Sequence, residues 1–230
     1  MSSTDQPIDL AAIDFNAVYR NEAFPGFDSS GVPWDIRDVQ PAVVELEAAG
    51  RFTGDVLDIG CGLGDNAVFL AGRGHSVTAI DGSSVAIEQA RQRAAGSDIE
   101  FAVADATRLT GYEDRFDSVL DSALFHALDQ QLRPLYAAAL HRATRPGARL
   151  SMLCFSDAPG GMPAPFAVPE SELRGTLSAA GWTVTDLSHA TYFASAAVVN
   201  GFLEPLGRPA ALDGQGRAKL AIWQVLADRS

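Results

Sequence analysis

Cysteine, basic charge and long apolar runs are all scarce in this chain of 230 residues. The two cysteines, Cys61 and Cys154, are too few for a disulfide scaffold and match no zinc-site spacing. Lys and Arg number 17 against 29 Asp and Glu, a formal charge of −12. A protein that neutralises phosphates needs a basic face, so nucleic acid is not an expected partner. No run of about 18 apolar residues occurs, and no membrane span is expected. The N-terminus has neither the positive region nor the apolar stretch of a signal peptide, which points to the cytoplasm with both thiols reduced. Internal repeats, charge blocks and low-complexity tracts are also missing. Nothing in the composition chooses between a monomer and a homodimer.

What is present is a regular alternation. Short β-branched runs at 55–59, 76–80, 99–104, 116–120, 148–155, 182–187 and 218–227 read as strands. Helical patterns at 41–49, 67–73, 84–95, 129–144 and 170–180 read as helices. Pro41 sits in the first turn of one helix, Ser83 or Ser84 caps the helix at 84–95 and Gly96 stops it, and Gly74 closes the helix at 67–73. Pro/Gly-rich stretches at 24–33, 158–169 and 201–216 read as loops over one sheet, because none separates two self-sufficient sets of strands. The expected fold is therefore α/β, a doubly wound, mostly parallel seven-stranded sheet, with residues 1–230 forming one domain.

The richest segment runs from Val56 through Asp58-Ile59-Gly60-Cys61-Gly62-Leu63-Gly64 to Asp65-Asn66. A strand entering Gly-x-Gly-x-Gly lets the chain turn tightly and brings backbone close to a ligand. Asp81 ends the next strand, where a carboxylate can accept hydrogen bonds from both ribose hydroxyls of a nucleoside. A dinucleotide fingerprint would place glycine where Asp65 stands. Asp58 enters the turn and Asp65 leaves it with no Lys or Arg between, a poor setting for pyrophosphate. A Gly-Lys-Ser/Thr phosphate loop is missing too. A cationic nucleoside such as S-adenosylmethionine, with an ammonium and a sulfonium but no phosphate, suits the turn better. Each feature alone has a plain alternative: a tight turn for the glycines, a strand-end cap for Asp81, a turn residue for Asp105.

Taken together, Leu57 to Gly64, Val77 to Asp81, Ala104-Asp105-Ala106, Phe116 to Asp121 and Arg145 to Ala148 resemble the class I S-adenosylmethionine-dependent methyltransferases, in family order and spacing from 54 to 155. A narrower resemblance is carried by Pro33-Trp34-Asp35-Ile36, Gln40-Pro41, Gly111-Tyr112 and Phe116 to His126. These look like the thiopurine/thiol-type group and, within it, the actinobacterial heterocyclic toxin methyltransferases, from about 17 to 174. The resemblance implies a Rossmann-like methyltransferase with an N-terminal helical lid at 1–50, a cofactor-binding core at 51–155, and substrate-side loops and late strands at 156–230, the late strands forming an antiparallel edge. It implies S-adenosylmethionine as cofactor and S-adenosylhomocysteine as product. The implied acceptor is hydroxyquinoline- or quinolone-like, methylated on oxygen, nitrogen or sulfur, with detoxification as the expected use.

The residues expected at the cofactor are Trp34, Asp58, Gly60, Cys61, Gly62, Gly64, Asn66, Asp81, Gly82, Ser83, Asp105, Ala106, Asp121 and Ser122. Residues after the fourth strand fall beyond the carboxyl end of the sheet, where an acceptor belongs. There His126 is the candidate base or acceptor orienter, with Asp121 contacting cofactor or orienting His126. The alternatives are a histidine that fixes its loop and an aspartate that caps the strand. Tyr19, Phe27, Phe125, Phe166 and Tyr192 are candidate acceptor walls, with core packing as the plain alternative. His75, His141 and His189 are expected to be structural. Metal-dependent transfer would need clustered carboxylates, which Asp121 and Asp157 do not supply, so no metal is expected. Two rival functions stay open, a non-catalytic S-adenosylmethionine-binding protein and a nicotinamide-dependent oxidoreductase; within methyl transfer, a thiol/thiopurine S-methyltransferase is the rival.

Overall fold

The structure is a computed structural model that describes residues 9–22 and 31–230. In chain order it forms α1 (Phe15–Tyr19), α2 (Pro41–Ala48), β1 (Asp55–Ile59), α3 (Asp65–Gly72), β2 (Ser76–Asp81), α4 (Ser84–Arg93), β3 (Ile99–Val103), β4 (Phe116–Ser122), α5 (Arg133–Ala143), β5 (Thr144–Phe155), α6 (Glu170–Ala179), β6 (Trp182–Ala194), α7 (Ala196–Leu203), β7 (Ala211–Leu212) and β8 (Ala218–Arg229). One sheet runs in the order β3-β2-β1-β4-β5-β8-β6, with the two-residue β7 beside β8. Strands β1 to β5 pair in parallel, while β8 is antiparallel to both β5 and β6.

Val56 and Leu57 show why the sheet is covered on both faces. Successive side chains of a strand point to opposite sides, and here each side meets a separate core. Val56 packs with Val43, Leu70 and Ile87 from α2, α3 and α4. Leu57 packs with Tyr136 and Leu140 of α5 and with Leu173 and Leu177 of α6. Asp58 shares the Val56 side and is fully buried. Helix α4 starts where Ser83 accepts the Ala86 N–H at 3.1 Å, an N-cap worth about 1 kcal/mol.

The doubly wound, mostly parallel sheet expected from the sequence is present, as seven long strands plus β7. Three local expectations fail for physical reasons. Arg145-Pro146-Gly147 follows α5 but already lies in β5, where the pairing with β4 shifts register between Phe116 and Ser118; Pro and Gly are tolerated at such a bulge. β6 does not stop at residue 187 but continues to Ala194, paired with β8 throughout. Its partly exposed residues give no continuous apolar signal. Helix α7 has no clear sequence signal because Val198, Val199 and Gly201 are weak helix formers. Burial of Val198, Val199 and Leu203 in the core overrides that preference.

The strand order reverses between β1 and β4, and open α/β sheets bind ligands in the crevice at such a point. Ile59 pairs with Asp121, so the turns that follow the two strands leave the sheet side by side.

Candidate active site

The turn after β1 is built for close approach. Gly60 has φ +71°, and a Cβ there would come 2.9 Å from the Leu124 Cβ. Gly62 has φ +55°, and its Cβ would sit 2.9 Å from the Tyr19 hydroxyl oxygen. Only glycine meets both demands without strain. Gly64 then heads α3. Above the turn, Trp34 Nε1 donates to Tyr19 Oη at 3.1 Å, and the two rings meet edge to face with centroids 5.7 Å apart. The N-terminal segment thus roofs the glycine turn. Replacing Gly62 with Ala combines a left-handed φ with the contact to Tyr19, so it should lower stability by about 1–3 kcal/mol. Thermal melts of Gly62→Ala alone and with Tyr19→Phe check this; a wild-type melting temperature for the single variant would mean that the roof yields freely.

Asp81 closes β2 beside this turn. Its Oδ2 accepts the Gly62 N–H at 3.0 Å and its Oδ1 the Ser83 N–H at 2.8 Å. One carboxylate therefore joins the glycine turn to the cap of α4, and burial raises its pKa. The Ser83 hydroxyl also donates to Asn16 Oδ1 at 2.8 Å, and Gln89 Nε2 donates to the Tyr19 carbonyl at 2.8 Å. Both bonds fasten α1 onto α4. Gln40 makes a similar tie, its side-chain amide exchanging two hydrogen bonds with the backbone of Phe193 while its own N–H reaches Asn66 Oδ1.

Asp58 is fully buried with the carboxylates of Asp81 and Asp121 nearby. Both carboxylate oxygens are buried without a hydrogen-bond partner among the described residues. Burial first, then the charges of Asp81 and Asp121, raise its pKa to about 7, with the Ala67 amide as the opposing influence. A negative group left unpaired beneath a glycine turn suits a cationic ligand above it.

The turn after β4 is held by Asp121. Its Oδ1 accepts the Leu124 N–H at 2.8 Å, and its Oδ2 takes the Phe125 N–H at 3.2 Å and the Tyr136 hydroxyl at 2.8 Å. Burial nevertheless raises its pKa to about 6. Arg133, itself buried, donates to the carbonyls of Leu128 and His126 at 3.2 and 3.4 Å and pairs with Glu172 at 2.6 Å. His126 is 4% exposed and stacks on Phe155 with centroids 4.0 Å apart. Its Nδ1 accepts the Phe155 N–H at 3.2 Å. Burial and the nearby Arg133 charge push its pKa down to about 3.

A cavity of about 1070 Å³ joins these parts. That is just above the roughly 300–1,000 Å³ usual for one drug-sized ligand, enough room for a nucleoside and a second small molecule. Its lining includes Gly60, Asp81, Ser83, Asp105 and Ser122 together with His126, Phe155, Phe166 and Tyr192, and Tyr19 and Trp34 of the N-terminal segment. Asp105 has its Oδ1 bound by the Thr107 N–H and hydroxyl.

Several expected residues lie elsewhere. Asn66 does not line the cavity; it tethers the start of α2. Asp121 does not line it either, because its oxygens are occupied by the turn and Tyr136. Phe125 is fully buried beneath that turn, 6.2 Å from the Tyr136 ring, so it is core and not an acceptor wall. Cys61, Gly62 and Gly64 of the glycine turn and Asp58 before it do not line the cavity either; Cys61 and Asp58 are buried and Tyr19 covers Gly62. His126 as a base is corrected as well: the lone pair at Nδ1 is taken by a backbone N–H, so in the neutral ring the proton belongs on Nε2. Phe27 lies outside the described residues. Phe155, Met162, Leu220 and Asn16 escape the sequence reading. Their only signal is apolar or polar character in segments with no motif, since long-range packing alone brings them to the crevice.

A crevice at the switch point of a doubly wound sheet, with a glycine turn, a strand-end aspartate and aromatic lining, is the layout of a Rossmann-like small-molecule transferase. Residues 56–147 match the family described as "Methyltransferase domain". The chain is 39% identical over 186 residues to the 2-heptyl-1-hydroxyquinolin-4(1H)-one methyltransferase of Mycobacteroides abscessus, covering 79% of this chain and 81% of that protein. Among solved structures, one concerned with conversion of a disulfide bond into a thioacetal group during echinomycin biosynthesis matches with TM-score 0.78 and 36% identity, over 94% of this chain and 91% of that one. The Burkholderia thailandensis 1,6-didemethyltoxoflavin-N1-methyltransferase, with 1,6-didemethyltoxoflavin and S-adenosylhomocysteine bound, matches with TM-score 0.59 and 25% identity, over 83% and 77%. This chain belongs to the class I S-adenosylmethionine-dependent methyltransferases. Among the described residues no helix is long and apolar enough to cross a membrane.

Proposed function

We propose that this methyltransferase acts on a small, largely apolar aromatic heterocycle of the hydroxyquinoline or quinolone kind, transferring methyl to a ring-borne oxygen, nitrogen or sulfur, and that the outcome is inactivation of such compounds. The observation that carries this reading is one cavity lined both by Phe155, Phe166 and Tyr192 and by Gly60 and Asp81. The relative from Mycobacteroides abscessus, named for a hydroxyquinolinone, points the same way.

The residues present fit the cofactor. Asp81 and Ser83 suit its ribose, Gly82, Asp105 and Ala106 its adenine, and the Gly60–Gly64 turn over the unpaired Asp58 its ammonium-bearing end. S-adenosylmethionine supplies, when bound, a methyl on a sulfonium that leaves as a neutral thioether. What remains for this chain is alignment and exclusion of water, the main sources of rate when the leaving group is already activated. Tyr19 and Trp34 close the chamber above. His126, fixed by Phe155 and by the turn that Asp121 and Arg133 hold, offers Nε2–H to the acceptor. The whole chain works as one domain, with the N-terminal helices as roof and the late strands as acceptor wall.

The test is formation of S-adenosylhomocysteine and methylated product, by mass spectrometry, across 1-hydroxyquinolin-4-ones, hydroxyquinolines and aromatic thiols. Turnover of the hydroxylated heterocycles is expected. Tight S-adenosylhomocysteine binding with no turnover of any acceptor would make the protein a binder. A second reading, transfer to sulfur, is favoured by the likeness to the echinomycin structure; faster turnover of the thiols would establish it.

A further inference from the structure

Among the described residues, every carboxylate and imidazole that lines the acceptor chamber already accepts a hydrogen bond from the protein. Three carboxylates line the cavity, and each has backbone or hydroxyl donors on it. Asp14 caps α1 through the Asn16 and Ala17 N–H groups, Asp81 holds Gly62 and Ser83, and Asp105 holds Thr107. His126 is the single imidazole among the described residues of its wall. Its Nδ1 lone pair is spent on the Phe155 N–H and its ring is pinned flat on the Phe155 ring. The remaining nitrogen carries the proton and has no hydrogen-bond partner among the described residues. Tyr192, raised by burial, also keeps its proton.

The groups around His126 reinforce this. From α5, Arg133 donates to its carbonyl and places a positive charge nearby, offset by Glu172 of α6. From β5, the Cys154 thiol is raised by burial and stays neutral. From β4, Asp121 is fully engaged with the turn and Tyr136. From β6 comes Tyr192, whose ring meets Phe155 edge to face.

We propose that the acceptor enters this chamber as a preformed oxyanion, held by the Nε2–H of His126, so that the enzyme selects hydroxylated aromatics already ionised in water. The inference rests on the function proposed above and narrows its substrate class to acidic hydroxyl compounds, such as N-hydroxy heterocycles and electron-poor phenols. The acceptor oxygen forms the O–CH₃ bond with its own lone pair as the S–CH₃ bond breaks, and that electron pair stays on sulfur. Oxyanion and sulfonium charges cancel, and no proton is released in the chamber. His126 is then a catalytic residue by hydrogen bonding, its donor lowering the cost of bringing the anion into an apolar cavity.

Two measurements test this. The first uses 4-nitrophenol, which absorbs strongly in the visible only as the anion, titrated with the protein in the presence of S-adenosylhomocysteine. Bound nitrophenol should be ionised at a pH where the free compound is mostly neutral, a shift that His126→Ala reduces about tenfold in the ionisation constant and His126→Asn partly restores. The second is the pH dependence of kcat/KM for substituted phenols of graded acidity, in which the inflection should follow each phenol's own ionisation. Nitrophenol bound in its neutral form, or weakly acidic phenols methylated at neutral pH as fast as acidic ones, would overturn the oxyanion proposal and leave the functional reading standing. Failure of any hydroxylated aromatic to bind would overturn both.

Discussion

Asp58→Asn is expected to make the cofactor-free protein lose less stability at high pH and to weaken its hold on S-adenosylhomocysteine. Asp58 is buried without a partner, and its pKa is raised from 3.8 to about 7. A carboxyl whose folded pKa is raised takes up a proton on folding. Its contribution to stability is present below the unfolded value and is lost as pH rises through the folded one. Across that interval the wild type should lose about 4 kcal/mol at most through Asp58, at roughly 1.36 kcal/mol per pH unit, whereas the variant, with no proton to lose there, is unaffected. The stability of Asp58→Asn minus that of wild type should therefore climb between pH 4 and pH 7 and level off above. The unpaired amide lowers the whole curve by about 1–3 kcal/mol without changing its slope. Urea melts at a series of pH values measure the difference, and a flat line would show that Asp58 is not ionised at the cost its burial implies. Calorimetric titration with S-adenosylhomocysteine supplies the other arm: a variant that binds as tightly as wild type would remove Asp58 from the electrostatics of the ammonium-bearing end.

Removing Arg133 should be nearly as severe. Its guanidinium is buried, paired with Glu172, and donates to two carbonyls of the turn that carries His126. Breaking a buried pair from one side leaves an uncompensated charge, so Arg133→Ala should cost about 3–5 kcal/mol. Arg133→Met combined with Glu172→Leu removes both charges and should recover much of that loss. Turnover should stay low in the double variant, with kcat reduced more than KM is raised, because nothing then fixes the carbonyl of His126. Full recovery of kcat along with stability would assign Arg133 to the fold alone and not to positioning the turn.

Some of this site is readable in the residues themselves. Gly60, Gly62 and Asp81 announce their roles locally, since a tight turn after an apolar strand and an acid at the next strand end are contiguous patterns. The same holds for β1 to β5 and the helices between them, whose apolar periodicity is strong. His126 shows the limit. Its position after β4 follows from order along the chain, but which nitrogen is free depends on Phe155, which β5 brings alongside. Asn66, Asp121 and Phe125 sit in the right segments yet stay out of the cavity lining, because the tether to α2, the turn's own backbone N–H groups and the α5 core claim them. Helix α7 and the far half of β6 are illegible for a related reason: burial and pairing with β8 override a weak local preference.

The order of apolar runs, glycines and acids along the chain thus determined a doubly wound sheet with a glycine turn and a strand-end acid beside the β1/β4 switch point, since these are properties of neighbours in sequence. The tertiary structure decided which polar atoms around the chamber are engaged and which are left over. Whether a buried side chain gives or takes a proton is settled by the groups packed against it, and for His126 and Asp58 those groups come from other strands and helices.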